Sequence, residues 1–210
     1  MLLRKKEEIE NWLNTYQIKN YHLIEDKEYG YIVNVDRNVN LISRSLKTIE
    51  VKFNEIYGFF DCDNNELTSL EGCPEIINGS FSCTFNLLLS LKGCPKKITG
   101  NCYLNNNSLS SLEYSTKIIN GDFLCMNNKL DSLEFCPKII GGDFACNFNN
   151  LKSLKGCPKI IQGYLDCSHN QLISLKGCPE IIEGSFDCNS NNLDIEGLFY
   201  LPKKVKNNFY

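Results

Sequence analysis

The stretch Leu151-Lys152-Ser153-Leu154-Lys155-Gly156-Cys157-Pro158-Lys159-Ile160-Ile161-Gln162-Gly163-Tyr164-Leu165-Asp166-Cys167-Ser168-His169-Asn170-Gln171 is followed at once by a second copy. That copy opens Leu172-Ile173-Ser174-Leu175-Lys176-Gly177-Cys178-Pro179 and closes at Asn192. Aligned outward, the chain shows one 21-residue pattern, L-x-S-L-x-G-C-P-x-x-I-x-G-x-F-x-C-x-x-N-x, in seven copies without an insertion from Leu46 to Asn192. Leucine opens each copy at 46, 67, 88, 109, 130, 151 and 172. Isoleucine, glycine and asparagine return in every copy, starting from Ile56, Gly58 and Asn65. A fixed period of this length marks a repeat architecture.

The physics of one unit follows from its slots. G-x-F-x-C alternates apolar and other residues at period two, which predicts a short strand. Its phenylalanine slot holds Phe60, Phe81, Cys102, Phe123, Phe144, Leu165 and Phe186. Its cysteine slot holds Cys62, Cys83, Leu104, Cys125, Cys146, Cys167 and Cys188. The asparagine amide is suited to satisfy backbone groups in the turn and in the next coil. G-C-P predicts a non-helical return, since proline fixes φ and disfavours helix before it. One unit cannot bury its own apolar face, so units must stack into a solenoid with a parallel sheet. At about 4.8 Å per strand, seven coils rise about 34 Å.

Bulk properties exclude several classes. The chain has 210 residues and a formal net charge of −3, so no global basic field argues for nucleic acid. No apolar run approaches the roughly 18 residues of a membrane helix. The first residues turn charged at Arg4-Lys5-Lys6-Glu7-Glu8, without a signal-peptide apolar core, which predicts a soluble, cytoplasmic chain. Twelve cysteines invite a metal or disulfide reading, but none forms a C-x-x-C pair. Six lie in the strand column, five in the G-C-P column (73, 94, 136, 157, 178), and Cys102 in the phenylalanine slot. They read as buried thiols.

The run F-x-C-x-x-N-x-L-x-x-L resembles the strand-and-asparagine core of leucine-rich repeats. The whole unit resembles a repeat found in proteins of tailed bacteriophages and of some bacteria. Ile18-Lys19-Asn20-Tyr21, Tyr31-Ile32-Val33-Asn34-Val35 and Asn38-Val39-Asn40-Leu41 resemble the lead-in of such proteins. The resemblance implies a leucine-rich-repeat-like solenoid, one short parallel strand per coil, with irregular non-helical returns. For a phage-type protein it implies action in the cytoplasm of an infected cell, on a host defence component. Copy four departs from the unit with Tyr114-Ser115-Thr116, and copy one with Val51-Lys52-Phe53.

One continuous domain in three stretches is expected. Residues 1–45 cap the solenoid with a helix over 3–16 and a hairpin of Tyr21–Ile24 and Tyr31–Val35. Residues 46–192 form the seven coils. Residues 193–210 form an imperfect last coil, with Val205 and Phe209 in the Ile and Phe slots.

Catalytic, cofactor and metal sites find no constellation. The chain has two histidines, and the one thiol near His169 is Cys167 in a core slot. The positions left free by the repeat are more informative. The outward columns starting at Phe59, Asp61, Asp63 and Asn64 hold no lysine or arginine, while the return side carries Lys92, Lys96, Lys97, Lys117, Lys138, Lys155, Lys159 and Lys176. These lysines alternate with glutamates such as Glu71, Glu113 and Glu134, which reads as a solvated rim. The candidate binding face is therefore Phe59, Asp61, Phe85, Tyr103, Asp122, Asp143, Phe148, Tyr164, Asp166, His169 and Asp187. It suits a protein partner with a basic patch, because aromatics anchor and carboxylates steer. Capture of a small ligand such as a nucleotide, and a structural role in a virion or assembly, are the alternatives.

Overall fold

The computed structural model describes residues 2–210 and shows a repeat solenoid. Each coil contributes a two-residue parallel strand at the phenylalanine slot, from Phe60–Asp61 to Phe186–Asp187. Equivalent residues of successive coils face one another, as in Phe60 against Phe81 and Phe123 against Phe144. We call this stack the face ladder. The return carries a second two-residue strand at the isoleucine slot, for example Ile76–Ile77 and Ile118–Ile119, and these build a return ladder.

The core lies between the ladders. The Phe, Cys, Ile and two Leu slots are buried almost without exception from coil to coil. Phe123 and Phe144 stack with centroids 5.5 Å apart, and Phe60 and Phe81 lie 6.2 Å apart. Burying one such ring contributes about 1.5–3 kcal/mol, so the column dominates cohesion between coils. The glycine between the ladders is needed for close approach. A Cβ on Gly142 would collide with the Asp122 carboxylate and the Gly121 backbone of the coil before it.

The asparagine column closes each coil. Asn149 Oδ1 accepts the Leu130 N–H at 2.9 Å, and its Nδ2 donates to the carbonyls of Cys125 (3.1 Å), Cys146 (3.0 Å) and Asn147 (3.3 Å). One amide thus ties its own coil at two places and reaches the coil before. Asn65, Asn86, Asn107, Asn128, Asn170 and Asn191 repeat the arrangement.

Helix α1 (Lys6–Thr15) buries Ile9, Trp12 and Leu13 on the first coils, with Trp12 edge-on to Phe53 at 6.2 Å. Strands β1 (Tyr21–Asp26) and β2 (Gly30–Val35) form an antiparallel hairpin. β2 then joins the return ladder in parallel, with Val35 opposite Ile56, and Val39 faces Phe60. Coil geometry therefore begins one turn ahead of Leu46, with Val35, Val39 and Leu41 in the Ile, Phe and Cys slots. Arg37 and Arg44 stand where the unit has glycine and asparagine, and Asn65 of the next coil accepts the Arg44 N–H instead. At the other end, Ile182 pairs with Val205 and Phe186 with Phe209. The 3₁₀ turn Glu196–Tyr200 lies in the connection that carries the chain there. Among the described residues no helix is long and apolar enough to cross a membrane.

Candidate binding face

The eleven candidate residues all lie along the face ladder and its exit, but they have different duties. In the column before the strand, Asp122 Oδ1 accepts the Asp143 N–H at 2.9 Å, and Asp143 Oδ1 accepts the Tyr164 N–H at 2.7 Å. Asn101 serves Asp122 in the same way. These side chains splice one coil to the next. In the strand column the carboxylates cap their own turn. Asp61 accepts the Asp63 N–H at 3.0 Å, Asp187 accepts the Asn189 N–H at 2.9 Å, and Asp166 accepts both the N–H and the hydroxyl of Ser168. In each case Oδ1 is the oxygen engaged. The acidic character read from the sequence is present, with one oxygen of each carboxylate, and in Asp187 both, committed to the scaffold.

Burial raises the Asp61 carboxyl above its ordinary range, with the Asp63 charge adding to it. Tyr164 is pushed upward by burial and then by the charges of Asp166 and Asp187, and its hydroxyl approaches Asp187 Oδ2 at 3.5 Å. Tyr103 lies half-buried, with Asn101 Nδ2 donating to its hydroxyl. Tyr103, Tyr164 and the strand carboxylates therefore form a semi-rigid floor.

The residues just past the strand differ in kind. Asn64, Phe85, Asn106, Asn127, Phe148, His169 and Ser190 all adopt φ of 50° to 55°, the left-handed region. Asparagine is tolerated there, whereas a bulky side chain is strained. Yet Phe85 is 60% exposed and Phe148 47% exposed. Phe148 and His169 stack face to face at 4.2 Å, with planes 7° apart. The structure thus brings Phe148 to His169 and Tyr164 to Asp143 and Asp187. Phe59 and Phe85 are exposed and join no aromatic pair among the described residues.

All twelve cysteines are free thiols. Burial pushes the thiol of Cys94 up to about 12, Cys178 to about 12 and Cys188 to about 11. Cys167 is raised well above the ordinary range by burial, so it is held as a neutral thiol in the core. Among the described residues no group of three or more His, Cys, Asp and Glu side chains is placed to hold a metal ion.

Sequence reasoning missed three features. His22 meets Asp36, with Nε2 2.7 Å from Oδ2. Phe135, like Tyr114, occupies the G-C-P glycine slot. Ile118, Ile139 and Ile160 of the return ladder are exposed. A check of the glycine column for non-glycine residues would have found Phe135. The isoleucines gave no signal, because a two-residue run does not reveal which member faces out. No protein-family model, curated protein or solved structure matches the chain.

Proposed function

We propose that the chain is a non-catalytic binding protein that meets a protein partner on its face ladder. The observation that carries this reading is the placement of Phe85, Phe148 and His169. They are solvent-facing rings at left-handed backbone positions where the repeat's own alternative is asparagine. Local strain kept at an exposed aromatic position is a mark of function, because folding alone would replace it. The carboxylates beside them favour a partner with a basic patch. On the resemblance to phage proteins, that partner is a host defence component.

Side-chain duties dictate the test. Asp143→Asn and Asp166→Asn keep an Oδ1 acceptor for the backbone and remove only charge. Combined with Tyr103→Ala, Tyr164→Ala and the repeat's own asparagine at 85, 148 and 169 (Phe85→Asn, Phe148→Asn, His169→Asn), they should preserve the fold and abolish capture of the proteins that the native chain retains from host lysate. A variant that folds and still retains the same proteins would show that the face is ordinary solvated sheet.

A further inference from the structure

Coils 4 and 5, residues 109–150, depart from the unit on the opposite ladder. Tyr114 and Phe135 hold φ of 69° and 67° in the slot that Gly72, Gly93, Gly156 and Gly177 fill at 89° to 100°. Both rings are exposed. Next to them the column after proline reads Glu75, Lys96, Lys117, Lys138, Lys159, Glu180. The outer lysines are compensated, with Lys96 2.6 Å from Glu75 and Lys159 3.7 Å from Glu180. Lys117 and Lys138 join no ion pair among the described residues. The exposed isoleucines Ile118 and Ile139 follow them directly.

The ladder's hydrogen bonding thins around this plate, although the Gly163 N–H still donates to Gly142 O at 3.0 Å. Ile118–Ile119 pairs fully with Ile139–Ile140, but only Ile119 pairs back to coil 3. Between Ile139–Ile140 and Ile160–Ile161 the strand pairing is interrupted. In the following coil Glu180 N–H donates to Lys159 O at 2.7 Å and Glu183 N–H to Ile161 O at 2.9 Å. The equivalent N–H groups of Lys159 and Gln162 make no such bond to coil 5 among the described residues. A cleft of about 610 Å³ lies at the interruption, walled by Pro137, Lys138, Ile139, Pro158, Lys159 and Ile160. A second, of about 500 Å³, lies on the other side of the plate, between Tyr114, Phe135, Pro95 and Lys117.

We infer that this plate is a second interaction surface, and that its occupant is an extended acidic segment of a partner protein. Lys117 and Lys138 take the segment's carboxylates, and the two clefts take apolar side chains. Three features favour that occupant. Within the column after proline, the central cations Lys117 and Lys138 lack acidic partners while Lys96 and Lys159 have them. The two clefts lie on either side of Lys138 along the stack, so an extended chain crossing the coils would meet recess and cation in turn. Lysines set between recesses suit a peptide's alternating side chains better than a bilayer, whose recognition uses a continuous basic surface.

The test is fluorescence anisotropy on the full chain, with labelled peptides that alternate Glu with Leu or Phe. Matched peptides carry Gln for Glu. Vesicles of phosphatidylcholine and phosphatidylserine form the second arm. The acidic peptides should bind, and Lys117→Glu with Lys138→Glu should weaken them by about tenfold or more. Tyr114→Gly with Phe135→Gly restores the repeat's own glycines. It should lose binding while the thermal midpoint holds or rises, a pairing that a merely structural role would not give. The Asp143→Asn and Asp166→Asn variant should bind these peptides as the native chain does, which separates this surface from the face ladder. Equal binding of the Gln peptides, or retained binding in both plate variants, overturns the proposal. So does binding of vesicles without peptides, or self-association of the chain that the lysine changes abolish.

Discussion

Asn149 is buried, and its four hydrogen bonds serve one N–H and three carbonyls in two coils. Truncation orphans the Leu130 N–H in a place closed to water, while the Cys125, Cys146 and Asn147 carbonyls keep donors in Asn128 Nδ2, Asn170 Nδ2 and the Asn127 N–H. Asn149→Ala should therefore cost about 1–3 kcal/mol, read as a shift in the urea midpoint at constant slope. A loss below about 0.5 kcal/mol would mean that the backbone reorganises to replace the amide. Phe85 makes the opposite case. It is 60% exposed, joins no aromatic pair and holds φ of 51°. Phe85→Asn installs the residue that coils 1, 3 and 4 use at this place, and should raise stability by about 0.5–1 kcal/mol. A drop in the urea midpoint would show that the ring packs for stability, and would remove it from the binding face.

The element that bears on the fold's behaviour at alkaline pH is the pair of cysteine columns. Thiols in an unfolded chain ionise near pH 8.5. Burial holds them neutral in the fold, with Cys188 raised to about 11 and Cys94 and Cys178 to about 12. A group whose folded pKa is raised contributes its full stability below the unfolded value and loses it as pH climbs toward the folded one. Urea midpoints should thus be flat up to about pH 8 and fall steeply from about pH 9 upward. Cys→Ser at the partly exposed Cys178 should soften that fall, and an unchanged midpoint at alkaline pH would mean that the thiols do not drive it. The same columns show what the sequence made legible. Strict recurrence at Ile56, Gly58 and Asn65 and their copies fixes coil length, core slots and the asparagine ladder. The earlier coil at Val35–Leu41 was hidden, because Arg37 and Arg44 break the two most diagnostic slots. The return ladder was hidden too, since Ile-Ile between proline and glycine is too short to show a period. On the candidate face, a carboxylate reads the same in sequence whether it is free or bonded to backbone. The splicing role of Asp122 and Asp143 therefore emerged only from the structure.

At the scale of the whole molecule, each coil touches little beyond its two neighbours, so stability should behave as a sum of coils and interfaces. The N-terminal cap enters that sum at one end. Trp12 lies against Tyr16 at 4.5 Å and Phe53 at 6.2 Å. Trp12→Ala should cost about 3–5 kcal/mol locally. In a nearest-neighbour stack the loss should fray the first coils and fade toward the last. Hydrogen exchange resolves this by position. The amides of Val33 and Phe53, which donate to Lys52 O (2.8 Å) and Gly72 O (2.9 Å), should lose most of their protection. Those of Leu165 and Cys167, which donate to Ser185 O (3.0 Å) and Asp187 O (2.9 Å), should keep theirs. The interruption at Ile139–Ile140 adds a finer expectation. Fraying that reaches coil 5 on the return ladder should stop there. Equal loss of protection from Val33 to Cys167 would show instead that all coils open as one cooperative unit, and that the break in the return ladder does not divide the molecule.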